Sequence, residues 1–491
     1  MNKMLKSLLV AALTLSAAHL AADGSTNKTF LMPRAQGVNL PMHATSFYDL
    51  VHRKAHDKFG ANFELTGFWQ QSANGKEQGK YFLADGKSTI DVSRAAANSV
   101  ALDGSSVDLG YLIHTDNQVA EAPGSTTLSL DPHQEVYGVR LDYHQDLHKL
   151  VKGLYLSANL PVVSVSNNPR LSVVSSVDGV ADTVRKYFAG NGADDRASNA
   201  QAALSKGKIA GKRSESGVAD IDFVLGYKFL HNAKYHAAVG MGVTIPTGNE
   251  AKGDWLFEPM VGNGKHWGLG GDLCAGARVW ENEESSVKVN LAMKYRYLFE
   301  SNERRVLGLF GSDQVRNSNL AQYALLGKQS AAINVALVPA ANVLAMNCDV
   351  TPGSQLDADL GLSYHRGGFS LDLGYNMYFK EAESVKRKDS LAEGYAIAAR
   401  DYPTDVLFNP AGEPVVTDKN TLTAVLSNDN ISTAAASTPS QFTNSIYGGA
   451  GYVFKNWDCP LMLGAGAKYE WANNNSAFDQ WGAWLKVGVG F

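Results

Sequence analysis

Asp142 and His144 stand two residues apart in the run EVYGVRLDYHQD, and an aspartate–histidine couple can activate water or orient a base. On a strand that spacing places both side chains on one face. No G-x-S-x-G elbow accompanies them. The run ADGKST at 84–89 ends like a phosphate-binding loop, but the first glycine of that motif would fall at Tyr81, so Gly86 reads as a turn. The three cysteines, Cys274, Cys348 and Cys459, allow at most one disulfide and have no histidine at ligand spacing. No catalytic residue, metal or cofactor is expected, and the chain does not read as an enzyme.

The most distinctive loop is TIPTGN at 244–249, followed by WLFEPMVGNG and His266–Trp267. Pro246 can end a strand ladder because it has no N–H to donate. Trp255, Phe257 and Trp267 are candidates for a constriction loop that tucks into a lumen, or for a structural latch at its rim.

These residues need a framework, and the sequence supplies one in period two. In 286–299, Val287, Val289, Leu291, Met293, Tyr295, Tyr297 and Phe299 alternate with Lys288, Asn290, Lys294 and Arg296. The same alternation runs through 61–72, 106–114, 135–146, 153–165, 219–230, 234–246, 269–281, 355–366, 368–380, 444–455, 460–471 and 479–491, and more weakly through 80–92. Charge-free apolar faces about ten residues long match a tilted transmembrane strand. Tyr137, Tyr143, Tyr295, Phe299, Trp481 and Phe491 sit at the ends of those faces, where aromatic girdles meet a membrane interface. Short connections alternate with long ones at 166–218, 247–268, 300–354 and 381–443, which become extracellular loops. The expected fold is all-β: a transmembrane antiparallel β-barrel of about fourteen strands, occupying 61–491, with twelve as the alternative if 61–72 and 80–92, which stand or fall together by parity, both drop out. At fourteen strands the backbone radius is roughly 14 Å.

Nine cations and nine anions fall on the inward positions. The cations are Arg140, Lys228, Arg278, Lys288, Lys294, Arg296, Lys380, Lys468 and Lys486. The anions are Asp142, Asp146, Asp220, Asp222, Asp272, Asp357, Asp359, Asp372 and Glu470. With His144 they form the expected pore lining, and their balance argues against strong ion preference.

Residues 1–22 have the charge–apolar–small order of a secretory signal, with cleavage after Ala18 or Ala22 equally compatible. Residues 23–60 form a periplasmic or plug segment with one short helix, suggested by Ser46 and Asp49 ahead of Phe47, Leu50, Val51 and Phe59. The apolar content of 45% and the absence of a long apolar run exclude a membrane-spanning helix, and a net charge of −4 gives no reason to invoke nucleic acid. The chain closes on Phe491, like the terminal strand read by the outer-membrane insertion machinery. The expected partners are therefore that machinery, the lipid bilayer and lipopolysaccharide, in the bacterial outer membrane.

GLYLSANLPVV at 153–163, ADIDFVLG at 219–226 and the TIPTGN…LFEPMVGNGKHWGLG run resemble a paralogous family of large outer-membrane barrels of Dependentiae-type intracellular bacteria. A looser likeness is to fourteen-stranded fatty-acid and aromatic-hydrocarbon transporters with an N-terminal plug. The resemblance implies a barrel and leaves activity open. The leading expectation is a porin-like barrel passing small hydrophilic solutes. A surface anchor whose loops bind a partner and a hydrophobic-solute transporter are the alternatives.

Overall fold

A computed structural model describes residues 27–46, 60–83, 86–93, 106–108, 126–191, 201–232, 234–309, 320–328, 337–398, 407–408, 414–415, 422–455 and 458–491. The expected signal at 1–22 and the expected helix over 47–59 lie outside them.

Twelve strands close into one antiparallel ring. In chain order they are β1 Ala61–Ser72, β2 His133–Asp146, β3 Leu154–Asn168, β4 Ile221–His231, β5 Tyr235–Ile245 and β6 Gly268–Glu281. They continue with β7 Ser285–Leu298, β8 Gly353–Arg366, β9 Phe369–Lys380, β10 Gln441–Phe454, β11 Leu461–Ala472 and β12 Gln480–Gly490. Each strand pairs with its sequence neighbour, and β1 closes the ring against β12. The seam ends where Ala61 and Phe491 exchange both backbone hydrogen bonds, at 2.8 and 2.9 Å. One further strand, Arg213–Val218, extends the β3 edge above the ring. Period two holds throughout: on β12 Leu485 is 70% exposed and Lys486 beside it 2%. This is a transmembrane-type barrel, apolar outside and polar within.

The ring has the lower of the two expected strand counts but not the expected set: it keeps 61–72, which the twelve-strand alternative leaves out together with 80–92, and Ser106–Asp108 lies outside it. Of 80–92, residues 80–82 end helix α2, Gly75–Phe82, and 89–92 belong to a strand of five residues, Thr89–Ser93. That strand joins Ser106–Asp108, Thr126–Ser129 and Ser172–Ser175 in a separate four-stranded sheet. Tyr81, Phe82 and Leu83 are consecutive and all buried, a cluster rather than an alternation. Five residues are also too few to cross a bilayer. Residues 109–114 lie outside the described ones. With twelve strands about 4.8 Å apart and tilted ~40°, the backbone radius is roughly 12 Å.

Short turns join β2–β3, β4–β5, β6–β7, β8–β9 and β10–β11 at one end, beside Ala61 and Phe491. The described parts of the connections 73–132, 169–220, 246–267, 299–352, 381–440 and 473–479 gather at the other end. They fold into a cap with its own core. One cluster joins Phe82, Leu128, Phe188, Phe257, Tyr323 and Phe478, and a second joins Leu307, Leu326, Leu344, Leu391, Ile397 and Leu426.

Residues 27–46 run through the ring. Their first residues belong to the cap: Asn27 donates to Gln322 at 2.9 Å, the Thr29 N–H to the Ala435 carbonyl at 2.9 Å, and Leu31 packs in the first cluster. Their last residues reach the turn end, where Ser46 lies against Gly451 and Gly464. Between them is helix α1, Leu40–Ala44, started by Asn39, whose side chain accepts from the Met42 N–H.

Candidate functional site: the plugged lumen

The inward positions of the wall and the segment 27–46 form one polar assembly. Near the loop end, Arg34 pairs with Asp357 at 2.8 Å and Glu470 at 3.3 Å, with its guanidinium 4.5 Å from the Tyr378 ring centroid. Lys468 shares Glu470 at 2.6 Å, and Thr443 donates to it at 2.7 Å. Lower down, Lys486 pairs with Glu64 at 2.8 Å and donates to the carbonyls of His43 and Thr45. Trp484 donates from Nε1 to Thr45 Oγ1 at 3.1 Å, and Asp372 accepts from the Ser46 N–H at 2.9 Å. Met42 supplies the apolar contact among Phe68, Val136, Tyr447 and Trp484.

The far wall carries its own pairs. Arg140 holds Asp142 at 2.7 Å, and His43 approaches Asp142 to 3.6 Å. Asp222 takes Lys294 at 2.5 Å and Arg296 at 2.8 Å, while Arg296 also bonds Asp272. Lys228 meets Asp146 at 3.4 Å and His144 at 3.3 Å. Asp359 accepts from the Tyr447 hydroxyl at 2.8 Å. Asp220 is buried just before β4, beneath Gly262 of the 246–267 connection. Arg278 and Lys288 are half-buried register partners near the turn end, and Arg278 bonds Glu281.

Asp142 and His144 share the inner face yet do not form the couple their spacing allows: Asp142 is taken by Arg140 and His43, and His144 by Lys228. Among the described residues no three His, Cys, Asp or Glu side chains gather as a metal site.

The three loop aromatics lie elsewhere than a lumen constriction. Phe257 is in the cap core, 5.8 Å from Phe82 and 5.6 Å from Phe478. Trp255 carries Lys208 Nζ 4.2 Å and the Arg213 guanidinium 4.0 Å from its ring centroid. Trp267 is 54% exposed, in step with outward Leu269. The lumen is narrowed instead by segment 27–46. Tyr137, Tyr295, Phe299 and Trp481 are exposed near the loop end and Phe491 at the turn end, while Tyr143, also near the turn end, is half-buried and donates to Gln145.

Sequence reading passed over Arg34, His43 and Glu64. Glu64 had a signal, since it alternates with outward Phe63 and Leu65. Arg34 and His43 lie outside any strand, and no periodicity marks them.

A buried chain of polar contacts anchors the cap to the ring: the His266–Glu303 hydrogen bond at 2.7 Å and the ion pairs Glu303–Arg305 at 2.7 Å, Arg305–Glu383 at 3.5 Å and Glu383–Lys380 at 3.0 Å. Arg305 also lies 3.3 Å over the Phe30 ring, tying the plug to this chain. Burial pushes the Glu383 carboxyl up, but Lys380 and Arg305 more than offset it and hold it at about 2. Among the described residues no cation lies within salt-bridge distance of Glu258. Burial raises it to about 7, against hydrogen bonds from the Lys252 and Gly253 N–H groups.

No family model matches the chain, and no curated protein does. The resemblance to the paralogous Dependentiae-type family therefore gains no support. Solved structures that it resembles include an outer membrane channel from Pseudomonas putida F1, at 13% identity over 89% of this chain and 99% of that one, with a TM-score of 0.37. The Pseudomonas putida toluene transporter TodX matches at 10% identity over 96% of each chain, TM-score 0.32. The NanC porin matches at 9% identity over 72% of this chain and 93% of that one, TM-score 0.26. At these scores none of the three says what this chain does.

Proposed function

We propose that the chain is an outer-membrane channel for small hydrophilic solutes, held closed by its own residues 27–46. The observation that carries this reading is the character of the plug's seat. Along the lumen the segment is gripped mainly by charged and hydrogen-bonding side chains, and in the wall behind it Arg140, Lys228, Lys294, Arg296, Lys468 and Lys486 each sit against a carboxylate. Withdrawal of the segment leaves a wet, weakly selective path. The apolar outer face and its aromatics support a bilayer setting, with the turns in the periplasm and the cap outside. In this reading the terminal strand addresses the insertion machinery, and the cap rim meets lipopolysaccharide.

Liposome swelling with sugars of graded size tests it. The full chain should admit little, and a chain lacking 27–46 should admit small sugars and reject large ones. A second reading rests on the cap, whose two apolar cores exceed what closing a pore requires: the barrel anchors a folded surface domain that binds a partner. A folded deletion variant that admits no sugar favours that reading.

A further inference from the structure

The plug does not fill the lumen evenly. Between it and strands β2–β7 a cavity of about 120 Å³ remains. The wall recedes there because Ala238, Cys274 and Ala292 stand side by side on β5, β6 and β7. From the plug side Gly37 borders the space: a Cβ on it would lie 3.5 Å from Pro161 Cγ, 3.6 Å from the Asp220 carbonyl oxygen and 3.9 Å from Asn159 Oδ1.

Two buried acceptors on this lining lack donors. Asn159 is 7% exposed, and its Oδ1 has no hydrogen-bond partner. Asp142 Oδ2 is likewise buried without one, although Oδ1 of the same carboxylate holds Arg140. The two residues are register partners on β2 and β3. Cross-strand partners have Cβ atoms about 5 Å apart, a span that two hydroxyls on neighbouring carbons can serve together. A buried acceptor without a donor is costly, so a ligand supplying donors is favoured here.

The charges around the space are already cancelled in pairs: Arg140 with Asp142, Lys294 with Asp222, Arg296 with Asp272. An ionised ligand finds no uncompensated partner. An apolar cavity of about 150 Å³ takes up benzene, so this space suits about six heavy atoms. The small apolar side chains on one wall suit a C–H face.

We propose that this cavity is a binding station for a small uncharged polyol of glycerol or erythritol size. Its role in passage rests on the channel reading; the binding rests on the cavity alone.

Saturation-transfer NMR on the full chain in amine-oxide detergent micelles tests it, with erythritol as probe and glycerol as competitor. A saturable erythritol signal that glycerol displaces is expected. Gly37→Leu, which fills the cavity without altering the wall, should weaken it at least tenfold. Asn159→Ala, which removes one acceptor, should weaken it severalfold. Heat-modifiable gel mobility reports that each variant is folded. The proposal is overturned if folded wild type gives no saturable signal, if both variants bind like wild type, or if zwitterionic alanine or anionic lactate binds more tightly than the polyol. Binding that persists while the plug deletion passes no sugar sinks the channel reading and leaves the site standing.

Discussion

Arg34 is the strongest single link between plug and wall, and replacing it isolates the latch. In Arg34→Met the pairs with Asp357 and Glu470 vanish together, along with the contact over Tyr378. Asp357 and Glu470 are both 1% exposed, so their charges stay buried. Removing one partner of a buried ion pair costs roughly 3–5 kcal/mol. The low end applies, because Lys468 still neutralises Glu470 and Asn376 still donates to Asp357 at 2.6 Å. At roughly 1.4 kcal/mol per tenfold, about 3 kcal/mol raises the unplugged population on the order of 100-fold. Planar-bilayer recording reads that population as open probability. Arg34→Lys keeps one charge but loses the planar fork, and should fall between the two. If Arg34→Met opens no more often than wild type while the chain lacking 27–46 conducts, Arg34 is not the latch and the reasoning fails.

Other consequences follow from particular contacts. Glu258 has a folded-state pKa raised to about 7 from an ordinary 4.5, so its contribution to stability is complete below about 4.5 and is lost as pH rises through about 7. That loss is on the order of 3 kcal/mol, and Glu258→Gln should flatten the melting temperature across this window; an unchanged pH profile contradicts the assignment. A Cβ on Gly466 would lie 2.5 Å from the Trp484 ring. Gly466→Ala should therefore displace Trp484, break its bond to Thr45 and cost about 1–3 kcal/mol, read as a lower unfolding temperature and more frequent opening. Cys459 is exposed at the turn end, beside β11. A membrane-impermeant maleimide should label it only after the outer membrane is permeabilised, and labelling of intact cells would invert the orientation.

The wall was legible because one physical demand repeats along it. Each strand must be apolar where it meets lipid and polar where it meets the lumen, as in Val287–Lys288 and Leu485–Lys486. The alternation of short turns and long connections was legible for the same reason. Segment 80–92 gave a weak signal because Ile90 and its neighbours belong to a cap sheet with its own buried face, which Ser106–Asp108 also joins. A short strand in such a sheet alternates locally just as a spanning strand does. The plug was less legible: a segment gripped by backbone and by isolated side chains such as Arg34 and Thr45 has no period to detect. The loop aromatics left two places open for a related reason: Phe257 serves the cap core and Trp267 faces outward, and residue type alone does not separate a latch from a lumen constriction.

A reversible tether tests the plug as gate most directly. A Cβ on Gly464 would lie 3.4 Å from the Ser46 Cβ, close to the ~3.8 Å typical of a disulfide. In the Arg34→Met chain with its three native cysteines replaced, Ser46→Cys and Gly464→Cys should abolish conductance on oxidation and restore it on reduction. Conductance that persists once mass spectrometry shows the bond formed would mean that solutes do not pass where residues 27–46 lie.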